Sequence, residues 1–373
     1  MRARQGAAIK NMNFLDMVPK HIRDIQPYKA ARPIEDVELE LGIRVAKLEA
    51  NENPFGPSPK AVEAMRRFLE NVERYPDDTG YHLRQKLAQR FNVSMDEIML
   101  GAGSNDIFAM AFHAVLAPDS EVLTSEGSFI VYYILAQGAG IRMVCTPVKD
   151  FGFDLSAMAE RITPKTRLIC IANPNNPTGT IVRRGELREF MKKVPGHALV
   201  IMDEAYFEYV DDAEFPDSFE YLREGRPILI TRTFSKAYGL AGLRIGYGFA
   251  PAPIIETLHK VRMAFNVSSI AQVAAEAACE DREHVARTVN SNRSELGFLY
   301  RELDARRARY VPSCANFVLI EVGNRAKELE DAMLKKGVMV RSMGAWGFPA
   351  MIRVSVGTHE QNEAFLKVFD EAR

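Results

Sequence analysis

LICIANPNNPTG, residues 168–179, begins as an unalternating aliphatic run and breaks into a polar, turn-forming segment. The same design returns in ALVIMDEAY (198–206) and ILITRTFSK (228–236), each run starting 30 residues after the last. Short aliphatic runs without alternation mark strands buried on both faces. A 30-residue interval is the length of a strand plus its crossover. Between the first two runs, RRGELREFMKKV (183–194) sets Leu187, Phe190, Met191 and Val194 at helical spacing. The segment therefore reads as a βαβ unit in a parallel sheet.

In an open parallel sheet a ligand lies beyond the carboxyl ends of the strands. NPNNPTG, DEAY and TRTFSK are thus expected to meet at one crevice. Lys236 stands out among them, because an ammonium is strongly hydrated and is seldom buried without a partner. In TFSKAYGLAGLRIGYG (233–248) it is surrounded by the hydroxyls of Thr233 and Ser235, a second cation at Arg244, and four glycines. Two cations and two hydroxyls among glycines suit a bound phosphate, leaving the lysine free for chemistry. An ordinary loop lysine is the alternative this stretch leaves open.

Upstream, EIMLGAGSNDIFAMAFHAVL (97–116) reads as strand, glycine turn and helix. Ser104 or Asn105 is expected to cap that helix, whose free N–H groups make a phosphate site. A dinucleotide fingerprint fails because Asp106 stands where G-x-G-x-x-G needs its third glycine, and no Gly-Lys-Ser/Thr of a P-loop follows.

With 373 residues, 47% of them hydrophobic and 26% charged, the chain has the composition of a soluble globular protein with a sizeable core. Its 48 basic and 49 acidic residues leave a formal charge of −1, so no bulk field attracts nucleic acid or an anionic membrane. Cys145, Cys170, Cys279 and Cys314 lie far apart with no C-x-x-C, which speaks against a zinc cluster, a redox motif or a disulfide framework. The seven histidines are scattered and no H-E-x-x-H occurs, so no metal is expected. No apolar run reaches membrane-spanning length and the N-terminus lacks the apolar core of a secretory signal, so the expected location is the cytoplasm.

Beyond about residue 265 the texture changes. SSIAQVAAEAACED and NSNRSELGFLYRELDARR read as long helices, and ANFVLIEV and AMIRVSVG as strands. In the last strand Ile352, Val354 and Val356 share one face and Arg353 points the other way. The expected organisation is an N-terminal arm (1–51) belonging with a small domain, a large cofactor-binding domain (52–265), and a small α+β domain (266–373).

Taken together, IQPYKAARPIEDVELELG (25–42), KLEANENPFGPSPKA (47–61), RYPDDTGYHLRQKLA (74–88), NPNNPTG, DEAYFEY (203–209), TFSKAYGLAGLRIGY (233–247) and IRVSVGT (352–358) span nearly the whole chain. In their order and number they resemble the fold-type I aminotransferases, and among them the histidinol-phosphate aminotransferase family. The resemblance implies an α/β fold, with a mostly parallel central sheet flanked by helices in a large domain, plus a smaller α+β domain. It implies pyridoxal 5′-phosphate as cofactor. Lys236 would carry it as a Schiff base and then shuttle a proton between substrate and cofactor carbons, which requires a neutral amine. Asp203 would pair with the pyridine nitrogen, although a capping aspartate is its simpler reading. Asn176 and Tyr206 would hydrogen-bond the phenolic oxygen, and NNPTG is also good turn chemistry.

Ser104, Asn105, Thr233, Ser235 and Arg244 would hold the cofactor phosphate. Phe129, in GSFIVYY, resembles the aromatic that stacks on the ring, with Tyr132 nearby; core packing is its alternative. Gly127-Ser128 departs from the family there, where a Pro-Thr pair is usual. Tyr75 resembles a tyrosine that reaches the phosphate of a partner subunit, implying a homodimer; a tyrosine buried in its own subunit is the alternative. Arg353, Arg341 and Tyr28 would hold the substrate anion, since a guanidinium fork suits phosphate and carboxylate alike. An exposed strand arginine is the other reading of Arg341.

The implied reaction moves an amino group between L-histidinol phosphate and 2-oxoglutarate, with glutamate as the other amino partner, in histidine biosynthesis. Rival readings are an aromatic amino-acid aminotransferase, a threonine-phosphate decarboxylase and a cofactor-binding regulator. The regulator would need a basic DNA-binding segment, which the arm before NENP does not offer. An NAD-dependent dehydrogenase is disfavoured by the broken glycine fingerprint.

Overall fold

The three aliphatic runs form the strands Thr166–Ala172, Leu199–Asp203 and Ile228–Thr233, paired in parallel, in a computed structural model that describes residues 13–25 and 32–372. Their lack of alternation has a direct cause. Ile169, Ile171, Val200, Met202, Ile228 and Ile230 pack into a core on one face of the sheet, with Leu187, Phe190 and Met191 of the helix Arg184–Lys193. Leu168, Cys170, Leu199, Ile201 and Leu229 pack into a core on the other, with Ile107, Phe108 and Ala111 of the helix Ser104–Val115. Each aliphatic side chain so buried contributes about 1.5–3 kcal/mol, which favours an apolar residue at every position of these strands.

Seven strands make this sheet, in the spatial order Ile98–Gly101, Gly246–Phe249, Ile228–Thr233, Leu199–Asp203, Thr166–Ala172, Glu121–Ser125, Arg142–Thr146. Only Gly246–Phe249 runs against its neighbours, with Thr233 opposite Gly246. The chain thus turns straight back after Ile228–Thr233 instead of crossing over through a helix. Residues 234–245 are held at the carboxyl end of the sheet as a result.

A second sheet is antiparallel throughout and ordered Arg341–Met343, Phe348–Ser355, Phe317–Glu321, Tyr310–Val311. Its core takes Val318, Ile320, Ile352 and Val354 from the strands, Val356 just past the last of them, Leu299 and Leu303 from the helix Arg282–Ala305, and Phe365 and Phe369 from His359–Ala372. Ala46–Lys47 joins this part by pairing in parallel with Val338–Met339, which fixes the path of the residues that follow. The helix Ser269–Glu280, although C-terminal to residue 265, sends Ala271, Ala274, Ala275 and Ala278 into the core of the seven-stranded sheet.

Candidate active site

The carboxyl ends of the parallel strands open into a cavity of about 630 Å³. Asn176, Asp203, Tyr206, Thr233, Ser235 and Lys236 line it from three strand ends. Ser104, Asn105 and Phe129 line it from the other side of the sheet, and Arg244, Arg341 and Arg353 complete it. Every sequence-derived site residue within the described segments is therefore in one place except Tyr75; Tyr28 lies outside the described residues.

The amine of Lys236 donates to the backbone oxygen of Ala50 at 3.1 Å and stands 5.6 Å from the ring centroid of Tyr206. Burial pulls its pKa down to about 7, helped by the Arg353 and Arg244 cations and opposed by Glu52 and Asp203. Near neutral pH the neutral, nucleophilic amine is then readily populated. Asp203, 4% exposed, accepts from the Tyr132 hydroxyl at 2.7 Å and from the Ala205 N–H at 3.3 Å. Burial pushes its pKa up to about 6 and those hydrogen bonds pull it down. A buried carboxylate so oriented is best completed by a cationic N–H donor.

Asn176 owes its place to its neighbours in the turn. Asn173 is tied into the loop, accepting from Val182 N–H at 2.8 Å, and Asn175 donates to the Gly127 backbone oxygen at 3.0 Å. Asn176 is left to face the cavity, where its side-chain oxygen accepts from Arg353 Nη1 at 2.5 Å. The Tyr206 hydroxyl accepts from Asn51 Nδ2 at 2.9 Å.

One end of the cavity is a cradle made by close backbone approach. The helix Ser104–Val115 is capped by Gly103, at φ 80°, and not by Ser104 or Asn105 as the sequence suggests. Those two residues occupy the first turn, where backbone N–H groups lack intrahelical partners and the helix dipole is positive. Arg244 packs against this turn: a Cβ at Gly103 would lie 2.5 Å from its Nη2, and a Cβ at Gly246 would lie 2.6 Å from Ser104 N. Arg244 itself adopts φ 52° and donates from Nη1 to the Ala241 backbone oxygen at 2.9 Å. Thr233 donates to Ser235 Oγ at 3.0 Å and accepts from the Ser235 N–H at 3.1 Å, so it shapes the loop around Ser235.

The other end is made of side chains. Arg341 and Arg353 stand directly opposite each other on neighbouring antiparallel strands. Arg353, 6% exposed, also donates from Nη2 to the Glu49 backbone oxygen at 2.6 Å and sits 5.4 Å from the Phe317 ring centroid. Arg341 lies 3.9 Å from Glu49 Oε2 and 5.8 Å from the ring centroid of Trp346, with only 17% of its side chain exposed, which removes its reading as an exposed strand residue.

Phe129 lines the cavity and also packs edge-on against Tyr132, 5.6 Å between ring centroids, so it takes part in core packing while one side faces the cavity. The departure at Gly127 has a structural reason: its φ is 60°, and a Cβ there would meet the Phe348 ring at 2.4 Å. Proline, fixed near φ −65°, does not reach that conformation. Tyr75 is 82% exposed and stacks on Phe265 at 4.7 Å, so it is not buried in its own subunit.

Sequence reasoning missed Glu49, Asn51, Trp346 and the hydrogen bond from Tyr132 to Asp203. Asn51 adopts φ 56°, donates from its backbone to Ser355 Oγ at 2.8 Å, and accepts at its backbone oxygen from Asn316 at 3.1 Å. It thereby ties the second sheet to Tyr206. The segment LEANENP carried the signal, but only as a family marker.

A lysine amine near neutrality, a buried carboxylate, a helix start packed on Arg244 and a facing pair of arginines, all at the carboxyl end of a mostly parallel sheet, suit a fold-type I transferase. The family model described as aminotransferase class I and II matches residues 43–369, and the chain belongs to that family. It is 42% identical to a histidinol-phosphate aminotransferase of Moorella thermoacetica, over 94% of this chain and 91% of that one. It is 43% identical to one from Methylobacillus flagellatus, over 95% and 97% of the two chains. Among solved structures, the histidinol-phosphate aminotransferase of Sinorhizobium meliloti in complex with pyridoxal 5′-phosphate superposes with a TM-score of 0.88 at 25% identity, covering 99% of both chains. An aspartate aminotransferase of Thermus thermophilus, at 22% identity and a TM-score of 0.82, shares the fold.

Proposed function

We propose that this chain is a histidinol-phosphate aminotransferase, using pyridoxal 5′-phosphate to move an amino group between L-histidinol phosphate and 2-oxoglutarate in L-histidine biosynthesis. One observation carries the reading: Lys236 and Asp203 lie in a single cavity with a cradle at Ser104 and Arg244 and a second anion site at Arg341 and Arg353. The donor set fits the cofactor. Ser104, Asn105, Ser235 and Arg244 would hold its phosphate, with Thr233 shaping the loop; Asp203 would hold the proton on its ring nitrogen, with Tyr132 orienting the carboxylate. Asn176 and Tyr206 would donate to its phenolic oxygen, and Phe129 would pack on its ring. When bound, the cofactor supplies an electron sink that makes the carbon bearing the substrate amine acidic.

The protein's share is positioning and proton handling. Lys236, with its pKa lowered by burial to about 7, can accept a proton at Nζ from the carbon that loses it and return it to the acceptor carbon. Arg353 and Arg341, with Tyr28, would seat the phosphate of one substrate and a carboxylate of the other. Ile130, Ile134 and Trp346 give the cavity an apolar wall for a planar ring.

The active form is a homodimer in this reading, with the exposed ring of Tyr75 available to a partner's cofactor phosphate. The two sheets, each with its own main core, support a division into a large and a small domain. Free cysteines suit the reducing cytoplasm. No helix among the described residues is long and apolar enough to cross a membrane.

The test is a turnover assay that follows glutamate formed from 2-oxoglutarate, with L-histidinol phosphate, phenylalanine, tyrosine or threonine phosphate as amino donor. A kcat/KM for histidinol phosphate well above the others is expected. Preference for the aromatic amino acids would transfer the reading to aromatic transamination, and carbon dioxide release from threonine phosphate would overturn it.

A further inference from the structure

The substrate end of the cavity contains one group of the wrong sign. Glu49 is 6% exposed, lines the cavity, and puts Oε2 3.9 Å from Arg341 Nη1. Its carboxylate is not what seats Arg353, which bonds the Glu49 backbone oxygen instead. An ionised, buried acid within an anion site weakens the binding of any anion placed there.

The charged groups facing Glu49 come from every side. Arg341 approaches from the second sheet, Lys47 and Glu52 from its own segment, and Glu330 from the helix Ala326–Lys335. Lys47 is itself engaged with Glu52 at 2.9 Å, and Glu330 accepts from the Ser342 N–H at 2.8 Å. Burial is the main influence and raises the carboxyl pKa, Glu52 and Glu330 push the same way, and Arg341 and Lys47 oppose.

A ligand able to share a proton turns this repulsion into a hydrogen bond. A phosphate monoester has a second pKa near 6 and so can keep a proton close to neutral pH, whereas a carboxylate ligand near 4 stays bare there; burial moves the Glu49 carboxyl in the same direction, toward its protonated form. We propose that Glu49 is a specificity-determining residue: when a phosphate monoester sits between Arg341 and Arg353, its carboxyl and the phosphate share one proton taken from solvent. One O–H bond forms, and the buffer supplies the proton. The site then distinguishes its two anions by protonation. Histidinol phosphate enters with a proton, while glutamate enters without one and meets an ionised Glu49.

This rests on the reading of the arginine end as the substrate anion site. The test uses protein loaded with pyridoxal 5′-phosphate, so that the cradle at Ser104 is filled, and methyl phosphate as probe. Binding is measured calorimetrically near pH 8 in two buffers of different ionisation enthalpy, for the wild type and for Glu49→Gln. The expected result is uptake of close to one proton per methyl phosphate in the wild type and close to none in the variant. The KM for glutamate should also fall in the variant, by roughly tenfold if the lost repulsion amounts to one pK unit. Equal proton uptake in both proteins, or no methyl phosphate binding at the arginine end, would overturn the proposal. If the variant does not fold, zero uptake by the wild type alone overturns it. Failure of the functional reading looks different: methyl phosphate binds with proton uptake, yet histidinol phosphate gives no turnover.

Discussion

At the Ser104 end of the cavity the anion site is mostly backbone, whereas at the Arg353 end it is mostly side chain. The first is set by glycines at 103 and 246 that let a helix start and Arg244 approach to contact. The second is two arginines facing each other across neighbouring strands, with the buried Glu49 carboxylate 3.9 Å from Arg341. A group that stays bound through turnover suits a rigid cradle. A group that must leave, and be replaced by an anion of different shape and charge, suits long side chains with more than one partner.

The largest effect expected is at the point between the two ends. Lys236→Ala should abolish transamination and the near-visible absorption of the bound cofactor while circular dichroism reports an intact fold; retained turnover would remove the lysine from the chemistry. Asp203→Asn follows. It keeps the shape but not the charge, and should lower kcat by on the order of 10²-fold or more, as loss of a preorganised electrostatic partner does. A near-normal rate would mean that another group holds the ring proton.

Paired lysine substitutions sharpen the contrast between the ends. Arg353→Lys removes a two-pronged contact worth about 1–3 kcal/mol and should raise KM for both amino substrates about 10- to 100-fold with cofactor affinity kept. Arg244→Lys should do the reverse, weakening the cofactor with little change in substrate KM once it is saturated. Equal effects on both quantities from either change would merge the two sites into one.

The smallest effect is a pH slope in the stability of the cofactor-free protein. Lys236 has a folded-state pKa of about 7 against an ordinary 10.5. Between those values the unfolded chain holds a proton that the folded chain lacks, so this group makes stability rise with pH across that window. Below about pH 7 the amine is charged in both states and the slope ends. Lys236→Met should flatten the rise, as thermal unfolding over pH 7 to 10 would show.

Much of this was legible in the sequence because it is local. Buried strands with no alternation gave the sheet, and Asp203 ends its strand while Asn176 and Lys236 stand a few residues past theirs, where ligands of parallel sheets bind. The unread part is non-local. Asn51 meets Ser355 across 304 residues, and Tyr132 meets Asp203 across 71, so neither pairing leaves a spacing to detect. The helix cap was misread for a different reason: a serine and an asparagine at 104 and 105 look like caps, but Gly103, at a positive φ of 80°, starts the helix and frees them for the cavity. Glu49 was passed over because an acid two residues from Lys47 reads as a surface charge, and both its burial and its approach to Arg341 arise only in the fold.

The most direct test mixes the cofactor-loaded protein with L-histidinol phosphate alone and follows the near-visible absorption through a single half-reaction. Loss of that band, restored by adding 2-oxoglutarate, is the predicted result, since one cavity must accept both anions in turn. A band that ignores histidinol phosphate but responds to phenylalanine or tyrosine would contradict the account, because the arginine end would then not be a site for phosphate.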